Sequence, residues 1–174
     1  AETKEGREQA WNTNARAVAN LARIATANNI TLVHVSSDYV FDGTKSEFTE
    51  EDTLSPLGVY GQTKAAGDVA ASMAPRHYIA RTSWVIGDGR NFVSTMQSLA
   101  ENGVKPNVVD DQVGRLTFTE DLAGGIKHLL DSKAPYGTYN ITNDGEPASW
   151  ADIAKEVYEI TGEVRESVSP VSTE

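Results

Sequence analysis

Segments with a helical pattern of apolar residues alternate with short apolar segments typical of strands along this chain. Of all the features of the sequence, this alternation restricts the possible folds most. Residues 1–29 place small and aliphatic side chains along one helical face, and the apolar run 30–35 that follows predicts a strand buried on both faces. The alternation continues, with strands predicted at 77–82, 107–109 and 137–141 and helices at 60–73, 92–101, 119–130 and 150–161. The pattern predicts an α/β fold with a mainly parallel sheet.

Two further signals concern the connections. The polar segment 36–58 reads as a loop of about twenty residues, a length that is usually functional in a compact domain. Ser149 and Asp152 have the spacing of a capping box at the start of the last helix. The polar tail 162–174 gives no firm structural signal, so no element is predicted there.

The composition narrows the function classes. The 174 residues include 25 acidic and 15 basic side chains, for a formal net charge of −10, and no Cys. The negative surplus argues against broad nucleic-acid binding and against adsorption to an anionic membrane, since both need a basic surface. The lack of Cys excludes disulfides, thiolate metal sites and a Cys nucleophile. No apolar run has the length of a membrane span and no leader opens the sequence, so we expect a cytoplasmic protein.

Local motifs for several other chemistries are missing. His34, His77 and His128 lie too far apart for a local metal motif, and we predict no metal site. The sequence contains neither a nucleophile elbow nor a phosphate loop ending in Gly-Lys-Ser or Gly-Lys-Thr. The run Gly87–Phe92 begins like a dinucleotide fingerprint but has Phe where the third Gly is needed, so we interpret it as a turn.

A Tyr and a Lys four residues apart mark the start of the helix predicted at 60–73. Tyr60 and Lys64 fall on one helical face, where the ammonium group and the positive end of the helix dipole both favour the phenolate. Such a phenol can give a proton to a carbinol oxygen or take one from it. Ser36 and Ser37 follow the preceding strand, where catalytic groups of doubly wound sheets tend to lie. Together these residues predict a site of proton transfer at a carbinol or carbonyl oxygen.

Longer motifs resemble one family in the same order along the chain. The runs SSDYVFDG (36–43), SPLGVYGQTKAAGD (55–68) and RTSWV (81–85) are similar to motifs of the extended short-chain dehydrogenase/reductases that act on nucleotide sugars, and in particular of the dTDP-4-dehydrorhamnose reductases. The later run VVDDQVGRLTFTEDLA (108–123) also resembles that family, so the resemblance covers nearly the whole chain. It implies part of a doubly wound Rossmann-type parallel sheet with a small C-terminal substrate-binding lobe.

The resemblance also divides the chain and assigns roles. Residues 1–110 would be the C-terminal part of the Rossmann-like domain, and residues 111–174 an incomplete substrate-binding lobe. The implied catalytic triad is Ser37, Tyr60 and Lys64: Tyr60 would protonate the C4 oxygen of the sugar as hydride arrives from the nicotinamide, and Ser37 would polarise that carbonyl. Tyr60 and Lys64 would also contact the cofactor. The implied substrate-binding residues are Ser37, Tyr39, Trp84, Asn91, Gln112 and Thr117.

The same resemblance implies NADPH or NADH as cofactor and a dTDP-sugar as substrate, and it allows a homodimer. The Gly-rich turn at the start of the family and its Arg-Pro segment near the end have no counterpart in this sequence. We therefore expect the chain to be the inner part of a longer reductase, lacking the cofactor-binding loop and inactive by itself. The choice between NADPH and NADH, the oligomeric state and fusion to another enzyme stay open.

Two alternatives remain. A non-catalytic regulatory subunit that resembles the methionine adenosyltransferase β subunit would keep the SSDYVFDG and Tyr-Gly-x-Thr-Lys motifs, although RTSWV favours the reductase. Another nucleotide-sugar epimerase or reductase would share the triad.

Overall fold

The alternation of helices and strands predicted from the sequence is present throughout the computed structural model, which describes residues 3–173. The chain forms two units: one takes the chain up to Thr82 together with Leu122–Ile141, and the other takes Ser83–Asp121 together with the chain from Thr142 onward. Each unit therefore draws on both sides of residue 110, and the functional division at that residue stays a prediction. No helix within residues 3–173 is long and apolar enough to cross a membrane.

The helices are α1 (Lys4–Trp11), α2 (Ala17–Ala27), α3 (Val59–Ser72), α4 (Phe92–Glu101), α5 (Thr119–Asp131) and α6 (Trp150–Ile160), with a π-helical turn at Asn12–Arg16 and 3₁₀ turns at Asp38–Val40 and Arg165–Ser167. The strands are β1 (Leu32–Ser37), β2 (His77–Thr82), β3 (Val85–Ile86), β4 (Asn107–Val109), β5 (Val113–Gly114), β6 (Thr117–Phe118), β7 (Gly137–Asn140), β8 (Ala148–Ser149) and β9 (Ser169–Val171).

A parallel sheet in the order β1–β2–β7 forms the centre of the first unit. Leu32 lies opposite His77, and Tyr78 lies opposite Gly137. The strand predicted at 77–82 is confirmed, whereas β1 begins and ends two residues later than predicted. The prediction that this strand is buried on both faces was wrong for the described residues, because Val35 is 44% exposed while His34 and Ser36 on the face toward α3 are buried.

Helix α3 packs on this sheet and on α2 through small side chains. A cluster of Val18 from α2, Ala71 from α3 and Ile79 from β2 is buried there. The small Ala71 side chain lets α3 approach closely, and burial of Val18 and Ile79 contributes about 1.5 to 3 kcal/mol each. This packing fixes α3, and therefore its first turn, above the carboxyl end of β1.

The second unit is built from strand pairs and two helices. Its pairs are β3–β6 and β4–β9, which are parallel, and β5–β8, which is antiparallel. The core consists of Met96 and Ala100 from α4, Val108, Val168 and the inward face of α6 with Ala151, Ala154, Val157 and Tyr158. The predicted capping box of Ser149 and Asp152 is confirmed at the start of α6.

Residues 162–173, for which the sequence predicted no element, contain a 3₁₀ turn and strand β9. Val171 of β9 lies opposite Val109 of β4, and Asp110 donates its backbone N–H to the Val171 carbonyl at 2.9 Å. A strand of three residues that pairs with a partner some sixty positions away carries no local periodicity, and it is therefore invisible to sequence patterning. The two-residue strands β3, β5, β6 and β8 escaped prediction for the same reason.

Candidate active site

The first unit brings four of the predicted site residues together at the carboxyl end of β1. Ser37 is the last residue of β1, Tyr39 lies in the following 3₁₀ turn, and Tyr60 and Lys64 occupy the first two turns of α3. The Lys64 ammonium donates to the Val35 carbonyl at 2.6 Å. The Tyr60 ring lies edge-on to the Tyr39 ring, with centroids 5.8 Å apart and planes at 78°. Helix α3 and strand β1 therefore meet through the side chains that the sequence singled out.

Gly61 permits this close meeting. A Cβ at residue 61 would collide with the Tyr39 carbonyl oxygen, so only Gly lets the first turn of α3 lie against the 3₁₀ turn. The Tyr60 side chain next to it is 48% exposed, which leaves the phenol accessible to a ligand.

The Ser37 hydroxyl is held by its two sequence neighbours. Its Oγ donates to Asp38 Oδ1 at 3.0 Å and accepts the Tyr39 backbone N–H at 3.2 Å. Burial raises the pKa of the Asp38 carboxyl, while the Ser37 hydroxyl and backbone N–H groups oppose that rise. Burial likewise raises the pKa of Tyr39, and the Asp38 charge adds to the effect. Asp38 was missed in the sequence reasoning, although its position directly after Ser37 was a usable signal.

Two opposing effects act on the pKa of the Lys64 side chain, namely desolvation and a nearby carboxylate. Burial lowers the pKa of the Lys64 ammonium, and the Asp68 carboxylate one helical turn further along α3 acts in the opposite direction. Asp68 is itself paired with Arg81 on β2, whose Nε lies 2.9 Å from Asp68 Oδ2. Asp68 was also missed, although it repeats after Lys64 the four-residue spacing that joins Tyr60 to Lys64.

Trp84 in the second unit has an unusual backbone and tight packing. Its φ is +38°, a region that favours glycine, so its conformation is maintained by surrounding contacts. The indole stacks on Trp150 with centroids 3.7 Å apart and an interplanar angle of 12°. A Cβ at Gly114 would come within 2.9 Å of the same indole. The structure thus fixes the Trp84 ring firmly within its own unit.

The other three predicted substrate contacts of the second unit have intramolecular partners. Asn91 caps α4, because its Oδ1 accepts the Ser94 N–H and its Nδ2 donates to the Gly87 carbonyl at 2.7 Å. Thr117 is fully buried, and its hydroxyl bonds Thr142 at 3.1 Å. Gln112 donates to the Thr173 hydroxyl at 2.9 Å. A role in binding substrate stays a prediction for these residues.

Acidic and His side chains do not assemble into a metal site in the part of the chain that the structure describes. Within residues 3–173 no group of three or more such side chains could hold a metal ion. The donors around Tyr60 are instead hydroxyl and ammonium groups, which suit proton transfer and hydrogen bonding to sugar oxygens.

Relatives and solved structures resemble the chain over nearly its whole length. A dTDP-4-dehydrorhamnose reductase from Aggregatibacter actinomycetemcomitans is 41% identical over 159 residues, which are 86% of this chain and 53% of the relative. The crystal structure of a dTDP-4-dehydrorhamnose reductase ortholog from Clostridium acetobutylicum matches with a TM-score of 0.89 at 40% identity, covering 98% of this chain and 60% of that one. The reductase from Bacillus anthracis in complex with NADP has the same TM-score and coverage at 34% identity.

These matches confirm the predicted α/β fold and its likeness to Rossmann-type reductases. The chain spans about half the length of the curated relatives it matches. The RmlD substrate binding domain family matches residues 1–174, the whole of the sequence. The chain therefore belongs to the RmlD substrate-binding domain family.

Proposed function

We propose that the protein containing this chain reduces dTDP-4-dehydro-L-rhamnose to dTDP-L-rhamnose with NADPH or NADH, as a step of nucleotide-sugar biosynthesis. The observation that carries the proposal is the arrangement of Ser37, Tyr60 and Lys64 at the end of β1 in a chain whose relatives are named as dTDP-4-dehydrorhamnose reductases. Reduction of a ketone to an alcohol needs one hydride and one proton, and this arrangement provides the proton.

Tyr60 is the proton donor in this proposal. Its phenol is accessible, and its ring orientation is defined by the edge-on contact with Tyr39. As hydride reaches the C4 carbon, negative charge develops on the C4 oxygen, and the Tyr60 O–H transfers its proton to that oxygen. The bond order of the carbonyl falls by one, and the product is the C4 hydroxyl.

Ser37 acts on the oxygen that accepts the proton, and Lys64 acts on the Tyr60 phenol that donates it. Ser37 lies at the strand end where its hydroxyl can hydrogen-bond the same oxygen, provided that it exchanges its bond to Asp38 for one to the substrate. The Lys64 ammonium has three N–H donors, and the Val35 carbonyl accepts one of them. The positive charge stabilises the phenolate that Tyr60 becomes after it gives up its proton.

The donors in the first unit fit a nicotinamide cofactor. The two remaining Lys64 donors and the accessible Tyr60 hydroxyl are suited to the hydroxyls of a ribose. NADPH or NADH would supply the hydride. NADPH is the first choice because the Bacillus anthracis relative is described in complex with NADP.

The second unit is proposed to contact the substrate through Trp84. A rigidly stacked indole offers a flat apolar face, which suits the apolar side of a sugar ring. Asn91, Gln112 and Thr117 are proposed as supports for this region or as direct contacts. The homodimer and the cytoplasmic location remain predictions.

The test uses the full gene product, meaning this chain with any residues that its gene encodes on either side. It is mixed with NADPH and dTDP-4-dehydro-L-rhamnose, and both NADPH oxidation and dTDP-L-rhamnose are measured, with NADH and a UDP-linked 4-dehydro sugar in parallel. We expect turnover with the dTDP sugar. Binding of a protein partner without any turnover would support the regulatory-subunit alternative, and turnover with the UDP sugar alone would support another nucleotide-sugar enzyme.

A further inference from the structure

A buried polar cluster lies on the inner side of α3, and none of its members has a role in the proton transfer as described above. Its members are Asp68 on α3, His34 on β1 and Arg81 on β2, with relative exposures of 2%, 8% and 7%. Charged side chains are rarely buried this deeply, because each loses the solvation of water. A cluster of this kind in the first unit therefore calls for a physical explanation.

Asp68 is the centre of the cluster. One carboxylate oxygen, Oδ2, accepts from Arg81 Nε at 2.9 Å, and the other, Oδ1, lies 3.4 Å from His34 Nε2. The Oδ1 atom and the His34 Nε2 atom have no conventional hydrogen-bond partner among residues 3–173. Asp68 is thus held to Arg81 by a charge-assisted hydrogen bond, whereas its contact with His34 is longer.

The cluster joins the elements that carry the proposed active site. A Cβ at Gly67 would lie 3.2 Å from His34 Nε2, so the imidazole of His34 on β1 reaches the backbone of α3 next to Asp68. Arg81 extends the contact to the loop after β1, because its NH1 donates to the Glu50 carbonyl at 3.2 Å and its guanidinium lies 5.2 Å from the Phe41 ring centre. Asp68 and its partners therefore connect α3, β1, β2 and that loop within the first unit.

The position of Asp68 on α3 relates it to the active site. Tyr60, Lys64 and Asp68 follow one another at intervals of four residues, which places them along one helical face. Lys64 reaches toward β1 and bonds the Val35 carbonyl, and His34 beside that residue faces Asp68. Lys64 is partly desolvated, which disfavours its charged ammonium form. A nearby anion such as Asp68 favours that form.

We propose that Asp68 is a positioning residue for the Tyr60–Lys64 pair, because it fixes α3 to β1 and β2 and places a negative charge one helical turn from Lys64. This inference rests on the proposed function, because it assigns Asp68 to the reaction through Lys64. Asp68 does not touch substrate or cofactor in this assignment.

The electrostatics of the described residues agree with it. Burial alone would raise the pKa of Asp68, but His34, Ser36 and Arg81 together lower it below its ordinary value, so the carboxylate stays ionised. Burial lowers the pKa of Lys64, and Asp68 is the charged group that opposes this change. Among residues 3–173, the titratable and charged groups facing Asp68 are His34 from β1, Arg81 from β2 and Lys64 from α3 itself.

The first experiment measures the titration of Lys64 directly. The lysines of the full gene product are labelled by reductive ¹³C-methylation, and the Lys64 signal is identified by its loss in a Lys64→Met variant. In Asp68→Asn, which keeps the shape of the side chain and removes its charge, Lys64 should titrate at a pH lower by about 0.5 to 1 than in the wild-type chain. The matched control Asp131→Asn removes an exposed acid paired with Lys127 and should leave the Lys64 titration unchanged.

A second variant guards against unfolding. Asp68→Asn leaves the Arg81 guanidinium buried without its partner, which destabilises the fold. The double variant Asp68→Leu/Arg81→Met removes both charges of the pair, and it should show the same direction of change in the Lys64 titration. An unchanged Lys64 titration in whichever of the two variants keeps the native near-UV circular dichroism would overturn the proposal.

The kinetic experiment separates this inference from the proposed function. In the full gene product, Asp68→Asn should lower kcat about tenfold with KM for the dTDP sugar nearly unchanged, and the decline of kcat at high pH should begin at lower pH. A purely structural role would lower the amount of folded enzyme and leave the pH profile unchanged. If the wild-type protein does not reduce the sugar at all, the proposed function fails, whereas the Lys64 titration still decides the role of Asp68.

Discussion

The two units of this chain differ in whether they bury charged side chains. Among the described residues, the buried charged side chains belong to the first unit, where Asp68 and Arg81 lie beneath α3. The second unit buries an apolar core around Met96 and Tyr158, and its ion pair of Arg165 with Glu156 is exposed. Buried charges cost solvation energy and often add nothing to stability. Their confinement to the unit with Tyr60 and Lys64 agrees with the positioning role proposed for Asp68.

The largest expected effect comes from a matched pair of Tyr→Phe changes, one in each unit. Tyr60→Phe in the full gene product should reduce kcat about 10²- to 10⁴-fold with little change in stability, because an exposed proton donor is lost. Tyr158→Phe should leave kcat nearly unchanged and lower the free energy of unfolding by about 1 to 3 kcal/mol, since the Val104 carbonyl loses its 2.8 Å hydrogen bond. NADPH oxidation and urea unfolding measure the two effects. Undiminished turnover in Tyr60→Phe would show that Tyr60 is not the proton donor.

The second prediction compares two arginines. Arg81→Met should lower the free energy of unfolding by about 3 to 5 kcal/mol, because the buried Asp68 charge is left without its partner. Arg165→Met, which breaks exposed pairs with Glu156 and Glu159, should change it by less than about 1 kcal/mol. Urea unfolding of both variants at neutral pH makes the comparison. Equal losses would contradict the view that the units differ in how they use charge.

The third prediction concerns how two carboxyl groups of the first unit, Asp68 and Asp38, change the pH dependence of stability. The pKa of Asp68 is lowered in the fold, so its contribution to stability is present above the unfolded value of about 3.9 and is lost as the pH falls through the lowered folded pKa. The pKa of Asp38 is raised by burial, so its ionisation favours unfolding as the pH rises through the folded value. Unfolding of Asp68→Asn and Asp38→Asn is measured from pH 3 upward. Relative to wild type, Asp68→Asn should lose stability with rising pH and Asp38→Asn should gain it; parallel curves would contradict the opposite environments.

The smallest effect concerns helix starts. Ser149 and Asp152 form a capping box at α6, whereas α3 begins at Gly58 with no side-chain cap. Ser149→Ala should lower the free energy of unfolding by about 1 kcal/mol, and Gly58→Asn should change it by only a few tenths. Urea unfolding resolves the two cases. A loss for Gly58→Asn as large as that for Ser149→Ala would show that the start of α3 depends on contacts with the 3₁₀ turn more than on capping.

Much of the fold follows from local sequence patterns, and the exceptions have a common cause. Helix α4 and strands β2 and β4 occur at the predicted residues, because apolar spacing, Gly103 and the following turn mark their ends locally. The two-residue strands and β9 depend on partners far along the chain, so no short window of sequence contains them. The exposure of Val35 on β1 also could not be predicted, since an apolar run looks the same whichever of its side chains are covered.

The candidate site shows the same division. The spacing of Tyr60 and Lys64 is set by the helix period, so the sequence by itself determined that the two residues share a face of α3. It also placed Ser36 and Ser37 next to the end of a strand. Only the tertiary structure decided that Lys64 bonds the Val35 carbonyl, that Ser37 is held by Asp38, and that Asp68 is paired with Arg81 from another strand. The physical reason is that periodicity acts within one element, whereas desolvation and pairing of charges depend on which elements are packed together.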